Sequence, residues 1–276
     1  MVGPVAPPSV PAATATATGT AAPGVQTLAP GQAAPGPHVI EPEVEKLLDE
    51  LEHAAEKLRD FRATVAYEKF DALTGGAELQ YGRLLYLKDG SAVRLGVFFD
   101  EYVATDGRSD KLDQRFVFAE GWLCEVDATR KQFIKRQLVP PGKSFDPLRL
   151  GEGPFPLPIG QRKADVLERF LVSAAPMPDA RLLQGMKAEA VRPLRLVPIA
   201  GTREAEDFAQ VDLFYDRETL LPVGVVATSQ DGNRKTIKLS KFAQNAGLAE
   251  EQRASLSIET PDPAAWTIDV RPWKGN

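Results

Sequence analysis

The 276 residues carry 33 basic and 38 acidic side chains, a formal charge of -5. That balance favours solubility and argues against a nucleic-acid partner, because backbone binding needs a concentrated positive field. One cysteine, Cys124, excludes an intramolecular disulfide framework. No stretch approaches the roughly 20 consecutive apolar residues that a membrane-spanning helix requires, so no transmembrane segment is expected.

The first 37 residues contain eight prolines and ten alanines, and not one Asp, Glu, Lys or Arg. Pro4, Pro7, Pro8, Pro11, Pro23, Pro30, Pro35 and Pro37 remove backbone donors and break helical turns. With few large apolar groups to repay the entropy of ordering, residues 1–40 read as a disordered Pro/Ala/Thr-rich tail. Residues 41–276 read as a single domain. The start lacks the basic residues and continuous apolar run of a signal peptide.

The ordered region opens with an amphipathic helix. Val44, Leu47, Leu48, Leu51, Ala54, Ala55, Leu58 and Phe61 recur at three- and four-residue spacing. Pro42 suits the first turn, and Glu43 and Glu45 complement the helix dipole. From about residue 62 the period becomes two. Leu79, Tyr81, Leu85 and Leu87 share one strand face with Arg83 among them, and Lys88-Asp89-Gly90 turns the chain into Val93, Leu95, Val97 and Phe99. Thr105-Asp106-Gly107 turns again, followed by Phe116 and Phe118, then Trp122, Cys124 and Val126, then Phe133 and Ile134. Turns about every ten residues describe an antiparallel meander.

Residues 140–160 are rich in Pro and Gly and read as a long connection that wraps the sheet or forms a lid. Ala164, Val166, Leu167, Phe170 and Leu171 have the spacing of a short amphipathic helix. A second run of strands includes Leu194 and Leu196, then Val211, Leu213 and Tyr215, then Leu221, Val223 and Val225. Asp231-Gly232-Asn233 is a hairpin turn ahead of Ile237 and Leu239, and Thr267 to Val270 can form a closing strand. The chain reads as mainly β, with about ten or eleven strands and two helices.

Catalytic chemistry is thin. His38 sits at the end of the tail and His53 in an ion-pair-rich helix. Cys124 alternates in register with Trp122 and Val126, the pattern of a buried small hydrophobe. No nucleotide-binding, metalloprotease or nucleophile-elbow motif occurs. Asp106-Gly107 and Asp231-Gly232-Asn233 lack the acidic spacing of a calcium loop. A non-enzymatic protein without metal or cofactor is expected. Arg130, Lys131, Lys135 and Arg136 gather basic charge, diluted by Glu120, Glu125 and Asp127. Neighbours such as Leu84 and Leu85, or Phe98 and Phe99, place large apolar groups on both faces of the sheet. Either both faces are covered by helices and loops, or a curved sheet encloses a cavity.

The order of these parts resembles the bacterial outer-membrane lipoprotein carrier family, the periplasmic LolA-type chaperones and LolB-type receptors. The resemblance rests on Leu58-Arg59-Asp60-Phe61-Arg62-Ala63 running into Tyr67 and Phe70, on Gly82 through Lys88, and on Glu120 through Asp127. It continues in Val211 through Asp216 with Leu220-Leu221-Pro222, and in Ile237 and Asn245 after Asp231-Gly232-Asn233. It implies a strongly curved antiparallel sheet, an incomplete barrel with helices covering its concave face. The implied cavity would hold an acyl chain, lipid or lipoprotein in the periplasm or cell envelope. Leu85, Leu87, Val97, Phe99, Phe116, Phe118, Trp122 and Val126 would be its ligand-binding lining. The alternative on the same scaffold is an envelope sensor or protein-interaction domain without transport activity, with an envelope protein as partner.

Overall fold

A computed structural model describes residues 40–90, 92–142 and 161–274. The Pro/Ala/Thr-rich segment and most of the expected lid lie outside the described residues. In chain order the elements are α1 (Pro42–Glu56), β1 (Asp60–Phe70), β2 (Ala77–Asp89), β3 (Ala92–Val103), β4 (Ser109–Ala119), β5 (Trp122–Asp127) and β6 (Gln132–Gln137). Then follow α2 (Lys163–Arg169), β7 (Phe170–Ser173), β8 (Val191–Pro198), α3 (Glu204–Asp207), β9 (Gln210–Asp216), β10 (Pro222–Thr228), β11 (Arg234–Gln244), α4 (Glu250–Ser255) and β12 (Thr267–Arg271).

All twelve strands join one sheet in the order β12-β6-β5-β4-β3-β2-β1-β11-β10-β9-β8-β7. The expected strongly curved, incomplete barrel of ten or eleven strands does not form. The order is linear, β12 and β7 are the two edges, and the sheet is neither closed nor strongly curled. The physical reason is in the side chains. Leu84, Tyr86, Leu95, Val97, Phe99, Phe116 and Phe118 enter one core, while Leu85, Leu87, Phe98, Val117, Cys124 and Val126 enter another. Successive residues on a strand face opposite ways, so this sheet is apolar on both sides and needs two covers.

On the first face α1 lays Val44, Leu47 and Leu48 onto β1, β2, β3 and the second meander, and α2 adds Val166. On the second face the cover is split. Leu248, Leu256, Ile258, Trp266 and Ile268 cover the β2–β6 half, and Ala180, Leu183 and Met186 cover Phe214 and Val226 on the β9–β10 half.

Several boundaries differ from the sequence reading. Phe61, expected in the first helix, is paired in β1 with Tyr86 and Gln244, because Asn245 ties the corner shut. Asn245 Oδ1 accepts from the Arg59 amide at 2.8 Å, and its Nδ2 donates to the Lys57 carbonyl at 3.1 Å. Phe170 and Leu171, expected in a helix, form the edge strand β7 against Pro198 and Val197. The closing strand β12 pairs parallel, not antiparallel, with β6.

Gly82 marks where β2 and β3 press together. The register shifts between Tyr81 and Gly82, and a Cβ added at Gly82 would stand 1.8 Å from the Phe98 carbonyl oxygen. The obstacle is backbone in the middle of the sheet and cannot swing aside. Gly82→Ala is therefore expected to destabilise the domain by about 3 kcal/mol, the upper end of overpacking costs, read as a lowered urea midpoint at unchanged slope.

Candidate functional site

The eight residues expected to line a cavity divide between the two cores. Val97, Phe99, Phe116 and Phe118 lie in the first-face core, and Leu85, Leu87 and Val126 in the second-face core. Trp122 is half-buried at the surface beside Ser257 and Ile258, with the Lys135 ammonium 4.7 Å above its ring. The sheet thus separates them, and none borders the apolar cleft that the first face does contain.

That cleft lies between α1, α2 and strands β8 and β9, against Leu51, Ala55, Leu58, Leu194, Leu213 and Leu220. Its free volume is about 40 Å³, against roughly 300–1,000 Å³ for a small-molecule pocket. Polar contacts fasten the two helices over it. The Lys163 ammonium donates to Glu45 Oε1 and Asp49 Oδ1, both at 2.9 Å, and the Lys163 amide donates to Glu52 Oε2 at 3.0 Å. Arg192 on β8 pairs with Glu50 of α1. Half-exposed pairs of this kind contribute at most about 1 kcal/mol each.

The last helical residue of α2 is held more firmly. Arg169 donates to Glu204 Oε1 at 2.6 Å, with both side chains buried. It also donates to Gln161 Oε1 at 2.9 Å and to the Asp165 carbonyl at 2.9 Å. Removing one member of a buried pair leaves the other charge uncompensated, at a cost of about 3–5 kcal/mol. Glu204→Ala is expected to lose that amount in chemical denaturation, while truncating the exposed Arg162 that pairs with Asp165 loses less than about 1 kcal/mol.

The residues with catalytic potential do not assemble. Among the described residues no group of three or more His, Cys, Asp or Glu is placed to hold a metal. His53 is exposed, its Nδ1–H donating to the Asp49 carbonyl at 2.7 Å. Cys124 is 2 % exposed, and burial pushes its thiol from 9.0 up to about 11. At neutral pH it is a protonated, packed thiol. The unfolded chain releases this proton at lower pH than the folded one, so stability is unaffected below about pH 9 and falls as pH rises toward about 11. Cys124→Ala is expected to flatten that part of the pH dependence in thermal melts. A chromogenic disulfide reagent at pH 8 is expected to label the wild type only once denaturant is added.

The edge at β12 has a different character. The Thr267 amide donates to the Lys131 carbonyl at 2.9 Å, and the Trp273 amide donates to Gln137 Oε1 at 3.1 Å, fixing the strand at both ends. Ile268 packs into the second-face core. On the other side of the strand, Arg271 donates to Asp269 at 2.8 Å and holds its carboxyl below the usual range, near the Arg136–Glu125 pair at 2.6 Å. Amides alternate in direction along a strand. Because Thr267 points toward β6, Ile268 and Val270 turn their main-chain groups outward, where no strand among the described residues pairs with them. Val270 is 50 % exposed and Trp273 39 %. The sequence marked the strand but gave no sign that its edge stays open, since that depends on the strand order of the whole sheet.

No protein-family model matches the chain, and no curated protein sequence matches it. Among solved structures it is similar to MucB, at 16 % identity and a TM-score of 0.44 over 77 % of this chain and 62 % of that one. It is also similar to a structure of the Pseudomonas aeruginosa MucA/MucB complex, at 18 % identity and a TM-score of 0.44 over 79 % and 61 %. The chain thus spans a little under two thirds of the length of these two. A LolA superfamily protein from Nitrosomonas europaea is similar at 11 % identity and a TM-score of 0.33, over 75 % of this chain and 96 % of that one.

Proposed function

We propose that the domain is a non-catalytic protein-interaction module of the bacterial cell envelope, which takes up an extended segment of a partner protein along the open edge of β12. The observation that carries this reading is that edge itself, unpaired among the described residues. It offers outward main-chain groups on Ile268 and Val270, with Val270 and Trp273 exposed beside them. Proteins usually blunt such edges, because they template pairing with another chain. Strand addition uses the main chain for affinity and flanking side chains for selection. The envelope setting rests on the family-like order of parts from Leu58 to Asn245.

Acyl-chain binding is the second reading, and the apolar lining of the cleft beneath α1 is what favours it. At about 40 Å³ the cleft needs α1 to move before it could admit a chain, so the strand-edge reading is preferred.

The test uses Val270→Pro. Proline at an edge position whose N–H faces solvent leaves a sheet intact and removes one outward donor. Peptides selected on the wild-type domain from a random library are expected to slow amide exchange at Ile268 and Val270 and to bind Val270→Pro at least tenfold more weakly. Selected peptides that ignore the substitution, or that protect amides elsewhere, would overturn the proposal.

A further inference from the structure

Among the described residues the two covers on the second face belong to separate apolar clusters. Beside the Ala180–Met186 cover lies a cleft across β11, β1 and β2, bordered at one end by the β3–β4 turn and at the other by the 3₁₀ turn Arg181–Leu183. Its volume is about 520 Å³, within the range of small-molecule sites.

Glu68 lies in this cleft and is 7 % exposed. Its carboxylate makes no hydrogen bond and no ion pair with any described residue. Opposite it in the β1–β11 register stands Thr236, 1 % exposed, whose hydroxyl is also without a partner. Buried polar groups are nearly always satisfied, so the Thr236 hydroxyl calls for an explanation, and Glu68 beside it faces the cleft without a described partner. Burial raises the Glu68 carboxyl above its ordinary range, opposed by the fields of Arg234 and Arg181. Lys238 and Arg181 border the same cleft. Neither forms an ion pair among the described residues. The remaining wall is mixed, with Leu79, Tyr81 and Val103 beside Thr105 and Gln184.

A simple cation entering here would satisfy Glu68 but meet Lys238 and Arg181. A simple anion would satisfy those two but meet Glu68. A molecule with both charges satisfies all three. We propose that this cleft binds a small aliphatic zwitterion, an α-amino acid, with its ammonium on Glu68, its carboxylate facing Arg181 and Lys238, and its side chain against Leu79 and Val103. The site is separate from the β12 edge, and either can fail without the other.

Calorimetric titration of the full chain with three isosteric probes tests it. L-leucine is expected to bind saturably and at least tenfold tighter than 3-methylbutylamine, which lacks the carboxylate, or 4-methylpentanoate, which lacks the ammonium. Glu68→Gln is expected to weaken leucine at least tenfold and abolish its advantage over the acid, while the thermal midpoint stays level or rises. Lys238→Met is expected to reduce its advantage over the amine, and Lys238→Met with Arg181→Met to abolish it. Equal affinity for the three probes, absence of saturable binding, or leucine affinity that survives Glu68→Gln would each overturn the proposal.

Discussion

Pairing along β1 holds the two halves of the molecule in one sheet. On one side it runs antiparallel to β2 from Asp60↔Leu87 to Phe70↔Ala77, and on the other it meets β11 from Phe61↔Gln244 to Phe70↔Arg234. The β2–β6 meander and the β7–β11 meander are thereby made continuous. Were β1 lost, each half would expose a long unpaired edge with the aggregation hazard such edges carry. The join is defended locally. Asn245 satisfies the amides and carbonyl at the α1–β1 corner, and Asp60 Oδ1 accepts from the Gly247 amide at 2.9 Å.

Continuity has a cost in surface. Twelve strands with large side chains on both faces present two apolar layers, and the chain covers them unequally. The first face receives α1 and α2, whose stripe of Val44, Leu47, Leu48 and Val166 runs across both meanders. Among the described residues the second receives short pieces, α4 with its flanking segments on one half and the Ala180–Met186 stretch on the other. Each piece buries a few residues such as Leu183 and Leu256, each fully buried apolar side chain contributing roughly 1.5–3 kcal/mol.

How much of this was legible in the sequence follows from which forces are local. The hairpins at Asp89-Gly90 and Asp231-Gly232-Asn233 were readable because turn chemistry and period-2 alternation sit within ten residues of each other. The adjacency of Leu84 with Leu85 and of Phe98 with Phe99 also stated correctly that both faces would be apolar. What the alternation cannot state is whether the ends of a sheet meet. That is fixed by pairing between β1 and β11, far apart in the chain, and by β12 returning parallel to β6. Helix limits failed for the same reason. Phe61 and Phe170 continue a helical spacing, but long-range partners on β2, β11 and β8 draw each into a strand. Glu68 was passed over because one acidic residue in a strand reads as solvent-facing until the cover beside it is known.

The cover supplied by the described residues accounts for where the polar groups of the second face fall. Along β1 that face carries Arg62, Thr64, Ala66 and Glu68, and along β11 Thr236, Lys238 and Ser240, polar almost throughout. A strip that no described residue covers is suited to polar side chains, and serine or threonine would meet that need without penalty. A glutamate that is 7 % exposed beside an unpartnered hydroxyl does not follow from solubility, because partial burial of its charged form works against folding. Arg234 and Arg181 reduce this cost through their fields without cancelling it, since burial remains the larger influence on Glu68. Residues that oppose stability in this way gather at binding sites, where the partner that completes them comes from outside the fold.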